Sequence, residues 1–185
     1  MTMGSGIRGT VTFLLVLLAG GEAVGETNQG LANVGTGIAI ALPITAAGIS
    51  YWKNDWQGIG QLALDTGATV GTALLLKQFV KEERPDYSDN RSFPSDTAAL
   101  AFAPASYLWY RYGWQYGVPA YAAATFTGYT RVASDEHHWW DVAASAGIAW
   151  GYTFLFTSRW HYAYNIDSSI EVTPHEAFAS LSYRW

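Results

Sequence analysis

The sequence predicts an all-α helical bundle, about five to six helices, followed by a short C-terminal β-hairpin-like tail. Three observations carry this. Half of the 185 residues are hydrophobic and only 14% are charged, against about 25% in an ordinary soluble domain. Apolar runs of helical length are separated by Gly, Pro or charged residues. Alternation with period two begins only after Ser158.

Taken in order, the N-terminus carries Arg8, the apolar run Val11 to Leu18, and the small-x-small site Ala23-Val24-Gly25. This is the layout of an export signal over residues 1–25, with a first membrane helix as the alternative, although the run is short for a span of about 20 residues. Either way the chain is expected to reach a bacterial-type cell envelope, at the inner membrane or in the periplasm. Residues 26–158 then form one helical domain, because no linker or change in charge balance divides them.

The uncharged run Leu31–Trp52, with Pro43 inside and Tyr51-Trp52 at its end, suits a membrane-length helix. A second helix is expected over Gly58–Val80, ending before Pro85, and Lys81–Asn90 reads as a charged loop. Ser95 or Asp96 is placed to cap a third helix running to about Tyr110, with Pro104 inside it. Gly113 separates a fourth, about 116–129, and a fifth is expected from Asp135 or Glu136 to Thr157. Trp109, Tyr110, Tyr112, Trp114, Trp139, Trp140 and Trp160 border these segments, as interface belts do. In residues 159–185, Ile170–Thr173 and Ala177–Trp185 alternate around Pro174, which predicts an edge hairpin packed on the helices or on a protein partner.

Composition also narrows function. Ten basic and fifteen acidic residues give a net charge of −5, and the few Lys and Arg are scattered along the chain, which argues against a nucleic-acid partner. There is no cysteine, so neither a disulfide nor a thiolate metal site arises, and nothing calls for a metal or another cofactor.

The chemistry-bearing residues are few and local. If the fifth helix includes both, His137 and Asp141 lie at i and i+4 on one face, where the carboxylate fixes the tautomer of the imidazole. Arg131, on the loop or first turn entering that helix, has a fork suited to a phosphate. Lys77 and Arg84 sit at the end of the second helix, with Pro85 turning Arg84 inward, and the N–H groups after Pro94-Ser95 offer an anion seat.

Together, Lys77-x6-Arg84-Pro85, Pro94-Ser95 and Arg131-x5-His137-x3-Asp141 resemble the three-part signature of the type 2 phosphatidic acid phosphatase superfamily, which includes vanadium haloperoxidases and bacterial acid phosphatases. The resemblance covers about Gly58 to Thr157 and implies a helical bundle of the acid phosphatase/haloperoxidase type. It further implies that His137 is a nucleophile forming a phosphohistidine, that Asp141 orients it, and that Lys77, Arg84, Ser95 and Arg131 hold phosphoryl oxygens. The second part departs from the pattern: the family reads Pro-Ser-Gly-His, its histidine being the general acid, whereas this chain reads Pro94-Ser95-Asp96-Thr97.

No neighbouring residue supplies that proton readily. Asp96 should stay ionised beside cations and a helix N-terminus, Thr97 is no acid near neutral pH, and His138 is expected to point away from the site. The expected activity is therefore an envelope phosphatase or phosphotransferase acting on a lipid-linked phosphate or diphosphate. The alternatives are an impaired pseudoenzyme that binds a phosphorylated lipid or a partner protein, and a vanadium-dependent haloperoxidase.

Overall fold

The computed structural model describes residues 24–160, 165–172 and 177–184, with side chains described over 29–160. Most of the expected export signal, residues 1–23, lies outside the described residues. Five helices follow one another: α1 (Val24–Trp52), α2 (Trp56–Phe79), α3 (Asp96–Tyr112), α4 (Trp114–Ala133) and α5 (Trp139–Phe156). Strands β1 (Asn165–Val172) and β2 (Ala177–Arg184) pair antiparallel from Asn165↔Arg184 to Val172↔Ala177, the predicted hairpin. Among the described elements the hairpin pairs only with itself, so the expected packing of the tail against the helices is not seen.

Helix α3 is the axis of the bundle and packs against all four others. Its sequence explains why. Twelve of its 17 residues are buried, five of them alanines between Ala98 and Ala105, so neighbours approach closely on every side. Close approach recurs at Gly117 of α4, where an added Cβ would lie 2.7 Å from the Cα of Trp109, a contact only glycine permits. Ser95 caps α3 as expected, its hydroxyl accepting the Ala98 N–H at 3.3 Å. Gly113, at φ 92°, makes the turn into α4 that a side chain would resist.

One end of the bundle is locked by a buried polar cluster. Asp55 caps α2 through the Gly58 N–H at 2.8 Å and also takes the guanidinium of Arg111, both side chains being almost wholly buried. The same guanidinium donates to Gln61 Oε1 (2.8 Å) and to the Ser158 carbonyl (2.7 Å), while the Tyr112 hydroxyl donates to Asp55 Oδ2 at 2.6 Å. Tyr112 is thus a core aromatic and no belt residue, whereas Trp114, Trp139 and Trp140 are exposed as expected.

Helix boundaries differ from the sequence reading in two places that matter. Helix α1 starts at Val24, seven residues before Leu31, because a polar helical turn carries no hydropathy signal; Gln29 there bonds Asn33 one turn on. Helix α5 starts at Trp139, so Asp135 to His138 form a linker after α4, with Asp135 at φ 56° breaking the helix.

Candidate functional site

At the end of the bundle opposite the Arg111 cluster, α2 and α4 finish while α3 and α5 begin. Two helix N-termini, with their positive dipole ends, therefore face one place. The side chains singled out in the sequence converge there: Lys77 from the last turn of α2, Ser95 and Asp96 from the start of α3, Arg131 from the last turn of α4, Asp141 from the first turn of α5. Arg131 thus belongs to α4, which runs through to Ala133, and does not enter α5.

His137 lies in the linker just before α5, so it and Asp141 do not share a helix face as expected. The linker brings them together by another route. The backbone N–H of His137 donates to the Arg131 carbonyl at 3.2 Å, which closes the α4 end and turns the imidazole inward, 1% exposed. Its Nδ1 stands 3.4 Å from Asp141 Oδ2, long for a hydrogen bond but within reach of one.

Asp141 is itself held on several sides. Its Oδ2 accepts the Ser92 hydroxyl at 2.5 Å and the His138 N–H at 2.8 Å, and its carbonyl shares with that of Ser95 the hydroxyl of Ser145, at 2.8 and 2.7 Å. Ser145 thereby ties the N-termini of α3 and α5 together. Burial would raise the Asp141 carboxyl, but the adjacent His137 imidazole and donation from Ser92 and the His138 N–H hold it below the ordinary carboxylate value. For His137, burial is the leading influence and lowers the imidazole, with Lys77 and Arg84 adding to the effect and Asp141 opposing it. The net result is an imidazole neutral at neutral pH.

The cations are paired with carboxylates of the chain itself. Lys77 Nζ is 2.9 Å from Asp96 Oδ1 and donates to the Arg91 carbonyl at 3.2 Å. Arg84 bonds Asp89 at 2.8 Å and lies 3.6 Å from Glu136, which also takes Arg131. Arg131 further reaches the Ala32 carbonyl and Thr36 of α1 at 3.4 Å. Burial would raise Asp96, yet the Lys77 ammonium keeps it below its usual value, as expected from sequence.

Pro85 does not turn Arg84 inward at a helix end, since α2 stops at Phe79. A short bridge between Glu82 and Arg91 folds the loop back and places Arg84 beside Glu136. His138 is also nearer than expected: off the helix, it is free of the angular rule for neighbours, and its Nδ1 lies 3.6 Å from Asp141 Oδ2 and 3.8 Å from Glu82. The cations scattered in sequence are gathered in space, for Lys77, Lys81, Arg84, Arg91 and Arg131 all lie around this end.

Sequence reasoning passed over Ser92, Glu136 and Ser145. The first two adjoin signature segments, preceding Phe93-Pro94 and His137, and that adjacency was the available signal; Ser145 had none.

The site can hold a tetrahedral oxyanion against guanidinium, ammonium and helix N–H groups while presenting a neutral imidazole. The chain is similar to known proteins. Residues 59–165 match the family model described as PAP2 superfamily. A lipid A 4'-phosphatase of Helicobacter pylori is 35% identical over 160 residues, covering 78% of this chain and 80% of that protein. A lipid A 1-phosphatase of Porphyromonas gingivalis is 32% identical over 111 residues, covering 54% of this chain and 25% of its own length. The crystal structure of Aquifex aeolicus LpxE shares the fold, with a TM-score of 0.58 at 20% identity over 71% of this chain and 84% of that one. From the matched bundle and the long alignment to a curated relative, the chain belongs to the PAP2 superfamily.

Proposed function

We propose that this protein is a phosphatase of a phosphorylated lipid in the bacterial envelope membrane, acting through a phosphohistidine at His137. One observation carries the reading: a buried neutral imidazole, backed by the Asp141 carboxylate, opens on three cations where two helix N-termini meet. The relatives named for lipid A phosphatase activity point to a phosphorylated saccharolipid as the substrate class. The membrane location is supported by α1 and α2, whose stretches Gln29–Trp52 and Trp56–Phe79 are long and apolar enough to cross a bilayer. Both leave most of their apolar surface unburied, with Ile44, Leu64, Leu75 and Phe79 exposed, as lipid-facing helices would.

In the proposed reaction, Asp141 accepts from Nδ1–H, leaving Nε2 to attack phosphorus. The Nε2–P bond forms as the P–O bond to the lipid breaks, and water then cleaves the phosphohistidine to release phosphate. Lys77, Arg84, Arg131 and the N–H groups after Ser95 neutralise the equatorial oxygens, which is where the transition state needs charge. The departing oxygen takes its proton from water, because Thr97 stands at the acid position and Lys77 holds Asp96 ionised. General acid catalysis is worth about 10²–10⁴-fold, so turnover should be slow unless the leaving group is a good one.

The Thr97 position favours a second reading, a pseudoenzyme that binds the phosphorylated lipid without cleaving it. Phosphate release from lipid phosphates and diphosphates by wild type, His137→Ala and Thr97→His separates the two. The enzyme reading expects release that falls to background in His137→Ala; equal rates in these two proteins would refute it. A rise in Thr97→His marks a missing acid.

A further inference from the structure

A second basic feature lies beside the catalytic end. Lys77, Gln78, Lys81, Arg91 and Leu74 line a groove of about 560 Å³ along the outer side of α2. Lys77 is its inner wall. The same ammonium that meets Asp96 at the mouth of the phosphate seat thus also faces the groove, and its bond to the Arg91 carbonyl draws the returning loop against α2 to form the opposite side.

The two outer cations differ from the rest. Lys77, Arg84, Arg111 and Arg131 each have a carboxylate partner, and Lys53 and Arg159 lie over aromatic rings. Among the described side chains, those of Lys81 and Arg91 have neither. No acidic residue lines the groove, although the chain is acidic overall. The groove brings together an ammonium shared with the phosphate seat, a second ammonium, a guanidinium fork, an amide and the half-exposed Leu74. That set suits a headgroup with a further phosphate attached to an apolar body.

We propose that this groove binds a second phosphate on the same lipid headgroup, so that the protein selects doubly phosphorylated lipids over singly phosphorylated ones. The proposal rests on the lipid phosphatase reading. Lys77 lies between the two phosphates, while Lys81 and Arg91 touch only the one that is not cleaved.

The test uses the full chain in a neutral detergent, with lipid A phosphorylated at both the 1 and 4' positions and lipid A phosphorylated at one. Wild type, Lys81→Gln, Arg91→Gln and the double variant are compared by the ratio of kcat/KM for the two lipids. Wild type should favour the doubly phosphorylated lipid by about tenfold or more, as two charge-assisted contacts would supply. The double variant should bring the ratio close to one. A ratio near one in wild type, or a ratio unchanged in the double variant, overturns the proposal. Equal losses on both lipids overturn it too, and would mark these cations as a general attraction to the lipid surface. If inorganic phosphate added with the singly phosphorylated lipid raises the rate, the groove takes free phosphate and the headgroup assignment fails. Should neither lipid be turned over, the phosphatase reading fails separately, and the groove is judged on the same ratio measured as Kd.

Discussion

Replacing Glu136 by Gln should tighten the binding of a phosphate-like anion. Glu136 is the carboxylate that meets both Arg131 and Arg84, so an incoming oxyanion competes with it for the two guanidinium groups. At the 3.6 Å separation from Arg84, a unit charge pair with an effective dielectric near 20 is worth about 4–5 kcal/mol before screening. Glu136 is 21% exposed, salt screens part of this, and Gln keeps a neutral acceptor, which leaves about 1–2 kcal/mol to be gained. That corresponds to about 5- to 30-fold tighter binding. The assay is orthovanadate affinity, followed by the dose dependence of thermal stabilisation in wild type and Glu136→Gln at low and high salt. The gain should shrink as salt rises. Arg131 retains Ala32 and Thr36, so the variant should stay folded. If a normally folded Glu136→Gln binds vanadate no better than wild type, or worse, Glu136 does not compete but aligns the guanidinium groups, and the reasoning fails.

Three further outcomes follow from the geometry. Because burial and the neighbouring cations lower the His137 imidazole, the proposed mechanism has the neutral form attack, and kcat/KM should fall only as pH drops below the ordinary histidine value of 6.5. In Asp141→Asn, which removes the carboxylate that raises the imidazole, this acid limb should move to still lower pH while the rate drops by at least about 10²-fold; a limb moving upward would count against the pairing. At the other end of the bundle, Asp55→Ala leaves the Arg111 charge buried without its partner, which should cost about 3–5 kcal/mol of stability in denaturant unfolding, while a loss under about 1 kcal/mol would show that Gln61 and Ser158 suffice to hold it.

Much of this was legible in the chain. Apolar runs of helical length, punctuated by Gly113 and by Ser95 as a cap, determined five helices, because the 3.6-residue period and the local cost of capping act within a few residues. Lys77, Arg84, Ser95, Arg131, His137 and Asp141 could be singled out for a similar reason, because the proposed phosphate chemistry draws on few residue types, and the fold gathers them at one end of the bundle. Helix ends were harder to read. Hydropathy does not register that Asp135 leaves α4 with a positive φ, and it is this break, not a shared helix face, that swings His137 toward Asp141.

The sequence by itself thus determined an all-α bundle, the residues of the candidate phosphate site, and a threonine, Thr97, where the resembled family's motif has histidine. Only the tertiary structure decided how the charges are distributed. Pairings such as Glu136 with Arg131 and Arg84, Asp96 with Lys77, and Ser92 with Asp141 join residues on different elements, and their energies depend on separation and burial that no linear spacing encodes. It also placed Lys81 and Arg91, unpaired among the described side chains, beside Lys77, and so gathered at one end of the bundle cations that look scattered in sequence.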